Sequence, residues 1–72
     1  MYYIIYSRDN CHNCFVAKNV IKRKGIAFVE KEADVEYLRQ LGVRELPYII
    51  AVEDDVERVV GGLDSLMKEV YQ

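Results

Sequence analysis

The chain contains two cysteines, Cys11 and Cys14, separated by two residues. An apolar, β-prone segment, Tyr2 to Tyr6, precedes them, and a segment with helical periodicity, Phe15 to Lys24, follows them. The pair therefore falls where a strand gives way to a helix, and we expect Cys11 at the helix N-terminus, where backbone N–H groups favour a negatively charged thiolate. Because the thiolate is the nucleophile of thiol–disulfide exchange and Cys14 follows one turn later, the pattern predicts a redox-active dithiol.

A structural disulfide and a metal site are the alternative uses of these cysteines. A bond between Cys11 and Cys14 closes a very short loop and restricts the unfolded chain little, which argues against a structural staple. Zinc normally takes four ligands, whereas the single histidine, His12, lies between the two cysteines, so a complete site within one chain is not expected. A metal or iron–sulfur cluster held by Cys11 and Cys14 across a dimer stays open as the alternative to redox chemistry.

The length and composition fit one small domain that spans residues 1–72. Hydrophobic residues make up 51% of the chain, enough for a core and too many for disorder. The formal net charge is -2, so general nucleic-acid binding is not expected. The start of the chain does not resemble a signal peptide, and no stretch approaches the ~20 apolar residues that span a bilayer. We therefore expect a cytoplasmic protein with no membrane partner, in a compartment where a dithiol cycles.

The first half of the chain predicts a strand–helix–strand unit. The continuous β-prone run from Tyr2 to Tyr6 suits a strand that is buried on both faces. Helical spacing of apolar residues follows at Val16, Ala17, Val20 and Ile21. Gly25 suits the position after that helix, and Ile26 to Glu32 supports a second strand. This order in so short a span implies a right-handed unit with parallel strands.

The second half predicts a helix, a hairpin and a final helix. Asp34 is a candidate N-cap for a second helix that Gly42 closes. Tyr48 to Val52 and Val56 to Val60 are strands whose short connection makes them an antiparallel hairpin. The last helix is predicted from an apolar face formed by Leu63, Leu66, Met67, Val70 and Tyr71. The expected fold is therefore α/β, in the order β-α-β-α-β-β-α, with one mixed four-stranded sheet flanked by helices.

Four motifs resemble those of the glutaredoxin family, whose members have a minimal thioredoxin fold. The first is Cys11-His12-Asn13-Cys14 after the first strand, and the second is Arg8, where glutaredoxins usually carry a basic residue. The third is Glu45-Leu46-Pro47, in the place of the family's Thr-Val-Pro. The fourth is Gly61-Gly62-Leu63-Asp64, which is similar to the family's Gly-Gly turn with its nearby acid. The resemblance covers nearly the whole chain in the right order.

The resemblance implies a thiol–disulfide oxidoreductase in which Cys11 attacks a substrate disulfide and Cys14 resolves the mixed disulfide. It also implies that the Leu46–Pro47 bond is cis, and that the loop around it leaves a backbone edge that pairs with the cysteinyl part of a substrate. The substrate-binding residues that the motifs imply are Arg8, His12, Asn13, Glu45, Leu46, Pro47, Gly61, Gly62 and Asp64.

The same resemblance implies the partners of a monomeric enzyme. No bound cofactor or metal is expected, and the electron donor is glutathione, as a co-substrate, or thioredoxin reductase. The client is a protein with a disulfide, such as ribonucleotide reductase. His12-Asn13 replaces the family's usual Pro-Tyr, and Asp64-Ser65 reverses the usual order of a hydroxyl residue and an aspartate. Two related classes therefore stay open, the small glutaredoxin-like hydrogen donors fed by thioredoxin reductase and the compact phage-encoded thioredoxins.

Overall fold

A computed structural model describes residues 1–72, and it has four strands and three helices in the predicted order. The elements are β1 (Tyr2–Ser7), α1 (His12–Arg23), β2 (Ala27–Glu32), α2 (Val35–Gln40), β3 (Tyr48–Glu53), β4 (Val56–Gly61) and α3 (Leu63–Val70). The strands form one sheet in the order β2-β1-β3-β4. β1 and β2 are parallel, whereas the β1–β3 and β3–β4 pairs are antiparallel. The predicted α/β fold with a mixed four-stranded sheet, a thioredoxin-like fold, is confirmed.

The main hydrophobic core lies between one face of the sheet and the helices α1 and α3. Tyr3 lies opposite Ala51 and Ile5 opposite Ile49 across the β1–β3 pair, so these side chains share a face, since side chains alternate along a strand. The helices add Ala17, Val20, Ile21 and Leu66 to the same buried cluster. This cluster packs β1 against α1, and these are the two elements that flank the cysteines.

The boundaries of the two elements next to the cysteines each have a local cause. β1 continues to Ser7, one residue past the predicted end, because Ser7 still pairs with Glu32 of β2. α1 begins at His12, three residues before the segment with apolar periodicity, because Cys11 is the N-cap, at the helix N-terminus as predicted, and its sulfur accepts a hydrogen bond from the backbone of Cys14. The helix therefore starts within the cysteine motif.

Two helix ends follow the predicted local rules. Asp34 caps α2, and its carboxylate accepts a hydrogen bond from the backbone N–H of Tyr37 at 3.1 Å. Gly25 follows the end of α1 with a φ of 70°, in the left-handed region where a glycine meets no penalty from a Cβ atom. These signals lie within a few residues of the helix ends, which is why the sequence predicts them well.

A polar network ties α3 to the sheet at the end of β1 that lies away from the cysteines. The hydroxyl of the buried Tyr3 donates a hydrogen bond to Glu69. The same carboxylate accepts two hydrogen bonds from Arg58 of β4, at 2.6 and 3.2 Å. Burial, followed by the hydrogen bond to Glu69, raises the pKa of Tyr3 to about 12. The hydrogen bond from Arg58 lowers the pKa of Glu69 below its usual value, so this network contains a neutral phenol and a charged pair.

Candidate active site

The dithiol segment is placed by the end of β1 and the start of α1. A short turn follows β1, and in it Asn10 has a φ of 60°, a left-handed conformation that asparagine tolerates better than most residues. Cys11 comes next as the N-cap of α1. The backbone N–H of Cys14 donates a hydrogen bond to the sulfur of Cys11 at 3.2 Å. A backbone donor is therefore already directed at the sulfur that would carry negative charge as a thiolate.

Cys11 and Cys14 form a disulfide, and their Cα atoms are 5.3 Å apart. Cys11 is partly exposed, whereas Cys14 is only 1% exposed. An incoming thiol or disulfide consequently reaches Cys11 much more easily than Cys14. The two sulfurs are close enough for one to attack a bond made by the other, which is the geometry that two-step thiol–disulfide exchange requires.

The loop before β3 lies next to this segment. Its Leu46–Pro47 peptide bond is cis, and Pro47 is buried. Tyr48, at the start of β3, pairs with Tyr6 of β1, and the centroids of their rings are 6.0 Å apart. Because β1 and β3 are neighbouring antiparallel strands, the end of β1 that leads to Cys11 and the start of β3 lie at the same end of the sheet.

A cavity of about 480 Å³ lies beside Cys11, between α2 and the loop before β3. Four of the predicted site residues line it, namely Arg8, Cys11, Glu45 and Leu46. The other lining residues are Val35, Leu38, Arg39, Val43 and Arg44. We call this space the arginine cavity, because three arginines and one glutamate surround its apolar part. A substrate group that enters it meets both charged and apolar surface next to the disulfide.

Sequence reasoning did not predict Arg39 and Arg44 as site residues. Both reach the arginine cavity because of where α2 and the following loop pack relative to Cys11, which no local pattern reveals. For Arg44 one signal was present, since it directly precedes the Glu45-Leu46-Pro47 motif.

The start of α3 lies against the other side of the loop that contains Pro47. A Cβ atom added to Gly62 would lie 3.4 Å from Oε1 of Glu45 and 3.7 Å from the carbonyl oxygen of Pro47. Gly62 is therefore in van der Waals reach of the loop, and it brings α3 close to Glu45. Gly61 has a φ of 115°, which favours glycine, and Asp64 lies in the first turn of α3.

A second cavity, of about 880 Å³, lies on another side of Cys11. Three predicted site residues, Arg8, Cys11 and His12, line it. The other lining residues are Ser7, Asp9, Asn10, Phe15, Lys18, Glu30 and Glu32. Phe15 is 60% exposed, so an aromatic ring stands in solvent directly after Cys14. Arg8 and Cys11 line both cavities and are thus central to the site.

A polar cluster of Ser7, Lys18 and Glu30 forms part of this second cavity. Oε2 of Glu30 accepts a hydrogen bond from the Ser7 hydroxyl at 2.6 Å and another from the Lys18 ammonium at 2.8 Å. The hydrogen bond from Lys18, and to a smaller extent the one from Ser7, lowers the pKa of Glu30 below its usual value. Sequence reasoning missed the cluster, because its members belong to β1, α1 and β2 and come together only through the packing of those elements.

The structure thus gathers most of the predicted site residues around Cys11, but not all of them. Pro47 and Gly62 line neither cavity, although both lie beside Glu45. Asn13, Gly61 and Asp64 also line neither cavity. Asn13 is exposed on the first turn of α1. A contact between a substrate and any of the predicted substrate-binding residues remains a prediction.

No group of three or more His, Cys, Asp or Glu side chains is arranged to hold a metal ion. Cys11, His12 and Cys14 lie in one stretch of chain but do not form such a group. None of the helices combines the length and the apolar character that crossing a bilayer requires.

Two solved structures are similar to this chain over nearly its whole length. One is the solution structure of a glutaredoxin from Brucella melitensis, with 30% sequence identity and a TM-score of 0.73, and the match covers 96% of this chain and 79% of that one. The other is the glutaredoxin-like protein NrdH-redoxin from Escherichia coli, with 29% identity and a TM-score of 0.71, covering 94% of this chain and 93% of that one. Its structure is described as the basis of a thioredoxin-like activity profile. No family model and no curated protein matches the chain.

Proposed function

The chain belongs to the glutaredoxin family of thiol–disulfide oxidoreductases, and on that premise we propose that it reduces protein disulfides through Cys11 and Cys14. The observation that carries the assignment of roles is the unequal exposure of the two cysteines. Cys11 is partly exposed and lines both cavities, whereas Cys14 is 1% exposed. Cys11 is therefore the attacking residue, and Cys14 is the resolving residue.

The reaction consists of two exchange steps. The Cys11 thiolate attacks one sulfur of the substrate disulfide, which breaks the substrate S–S bond, forms a mixed disulfide with Cys11 and releases the other sulfur as a thiolate that takes up a proton. The Cys14 thiol then loses its proton and attacks the Cys11 sulfur, so the second substrate thiol leaves and the Cys11–Cys14 disulfide forms. The substrate gains two electrons and two protons, and an external thiol or dithiol reductant returns the enzyme to its dithiol state.

Several neighbouring groups support the first step. The N–H of Cys14, 3.2 Å from the Cys11 sulfur, stabilises negative charge there, as does the N-terminus of α1 as a whole. Arg8 lines both cavities, so its guanidinium either supports the thiolate or binds a substrate carboxylate. We assign substrate contacts to His12, Asn13, Glu45, Leu46, Pro47, Gly61, Gly62 and Asp64 as well.

Glutathione and thioredoxin reductase are the two candidate electron donors. The thioredoxin-like activity profile named for NrdH-redoxin supports testing thioredoxin reductase on equal terms with glutathione. A client of the ribonucleotide reductase type follows by analogy with such hydrogen donors. We further propose that residues 1–72 act as one monomeric domain in a reducing cytoplasm.

The proposal is tested by following NADPH oxidation during the reduction of insulin. One assay supplies glutathione with glutathione reductase, and the other supplies thioredoxin reductase. The wild type should be active with at least one donor, and Cys11→Ser should be inactive with both, because the thiol that remains, Cys14, is only 1% exposed. Cys14→Ser should accumulate a mixed disulfide between Cys11 and the substrate, which mass spectrometry detects.

The two cysteine variants serve as controls for each other, since each removes one sulfur from the same turn. Full activity of Cys11→Ser would contradict the assignment of Cys11 as the attacking cysteine. A wild type that is inactive with both donors would contradict the proposed function.

A further inference from the structure

The carboxylate of Glu45 stands between the arginine cavity and the start of α3. Glu45 lines this cavity together with Arg8 and Cys11. Its Oε1 lies 3.4 Å from the position that a Cβ atom on Gly62 would take. The side chain is exposed, so it is accessible to a molecule that approaches Cys11. Glu45 therefore brings negative charge to the side of the site that faces Gly62.

The charges around this cavity are not neutralised within the protein. The salt bridges of the structure are Lys18–Glu30 and Arg58–Glu69, and neither includes a residue of the arginine cavity. Arg8, Arg39 and Arg44 thus offer three unpaired cations, and Glu45 offers one unpaired carboxylate. A substrate in the cavity meets positive charge from Arg8, from Arg39 of α2 and from Arg44, and it meets the negative charge of Glu45 toward Gly62. Charges act more strongly in such a partly enclosed site than in bulk water, because the effective dielectric constant is lower.

We propose that Glu45 is a specificity-determining residue of the disulfide-exchange site. Its carboxylate selects disulfides that present a cationic or neutral group toward Gly62, and it selects against those that present a carboxylate there. The inference rests on the proposed function, since it concerns the substrates that react with Cys11. The favoured substrates are disulfides with an amine close to the cysteinyl sulfur, including protein segments with a basic residue next to the cysteine. Glutathione disulfide carries two carboxylates on each half, so Glu45 lowers its rate of reaction relative to that of a disulfide that carries only amines.

Cystamine and oxidised glutathione provide a matched pair of probes. Each is a symmetric disulfide, so attack at either sulfur gives the same products, and each oxidises the Cys11–Cys14 dithiol while releasing two thiols. Cystamine carries only amines, whereas oxidised glutathione carries carboxylates as well. The second-order rate of each reaction is measured in a single turnover of the reduced protein, with acid quenching, alkylation of the remaining thiols and mass spectrometry.

The expected result is a change in the ratio of the two rates. Glu45→Gln keeps the shape of the side chain and removes its charge. The ratio of the rate with oxidised glutathione to the rate with cystamine should then rise about tenfold, which is the order of magnitude expected for the removal of one charge from a partly enclosed site. Glu45→Lys should raise the ratio further. Glu57→Gln, which removes the same charge from an exposed position on β4, should change the ratio by less than about twofold, since charges beyond a Debye length are largely screened.

Each other outcome contradicts the inference in a recognisable way. An unchanged ratio in both Glu45 variants would overturn it, and so would an equal change in Glu57→Gln, which would make net charge the cause. If the reduced wild type reacts with neither disulfide, the proposed function fails together with the inference. If it reacts with both and only the effect of Glu45 is missing, the proposed function stands and the role of Glu45 is refuted.

Discussion

The hydrogen bond between Tyr3 and Glu69 couples the stability of this protein to alkaline pH. Tyr3 is 1% exposed, and its hydroxyl donates to a carboxylate that Arg58 also holds. Burial, the hydrogen bond and the charge of Glu69 raise the pKa of Tyr3 from 10.0 to about 12. A phenol whose pKa rises on folding contributes stability that is complete below the pKa of the unfolded chain, near 10.0, and is lost as the pH rises through about 12.

The size of the effect follows from the two pKa values. The difference between the pKa of 10.0 in the unfolded chain and about 12 in the folded protein corresponds to about 2.7 kcal/mol of stability, all of which is lost only well above pH 12. At pH 11 roughly nine-tenths of this tyrosine is ionised in the unfolded chain but only about one-tenth in the folded protein, so about 1.4 kcal/mol is lost. Tyr3→Phe keeps the buried ring and has no group to ionise. At pH 8 it loses a hydrogen bond to a charged acceptor, worth about 1.5 kcal/mol.

The assay is urea denaturation of the wild type and Tyr3→Phe at several values between pH 8 and pH 11. The wild type should be more stable by about 1.5 kcal/mol at pH 8, and this advantage should shrink by about 1.4 kcal/mol at pH 11. Tyr37→Phe removes a hydroxyl from a side chain that is 50% exposed and serves as the matched control. A difference between wild type and Tyr3→Phe that stays constant over this range would refute the reasoning.

Two further predictions concern the core and the polar cluster beside Cys11. Ile21→Ala should lower the free energy of unfolding in urea by about 2–5 kcal/mol, because Ile21 is fully buried between α1 and the sheet. Phe15→Ala, at an exposed position of the same helix, is the control and should lower it far less. Glu30→Gln should destabilise the protein more at pH 7 than at pH 3. The lowered pKa of Glu30 means that its carboxylate adds stability above its usual pKa of 4.5 and loses it as the pH falls, so an equal difference at both pH values would contradict this sign.

The sequence predicts the fold well because most of its signals are local. Each of the seven elements appears in the predicted order, since periodicity, caps and turns act within a few residues of one another. Asp34 is such a signal, and it caps α2 as predicted. Apolar periodicity begins only after Cys14, yet Cys11 lies at the N-terminus of α1 as predicted and caps the helix. A cysteine is not a usual N-cap, so this prediction rests on the position of the cysteines between a strand and a helix and not on the capping rules.

The residues of the candidate site that are close together in the sequence could be predicted, whereas those that come together only in the fold could not. The segment from Arg8 to Cys14 was predicted because its chemistry lies in one short stretch of sequence. The cluster of Ser7, Lys18 and Glu30 was not predicted, because it forms only once β1 and β2 are in register and α1 packs beside them. The same holds for Arg39, which reaches the arginine cavity from α2.

The net charge of the chain is a poor guide to what approaches Cys11. The formal net charge is -2, yet the arginine cavity beside the reactive sulfur has three unpaired arginines and a single carboxylate, Glu45. At physiological ionic strength the Debye length is about 8 Å, so a substrate near Cys11 responds mainly to the charges that line the two cavities and little to the acidic hairpin at Asp54 and Asp55. Discrimination among disulfides is for this reason a local property. Changing one charge in the arginine cavity should alter it more than changing the net charge elsewhere.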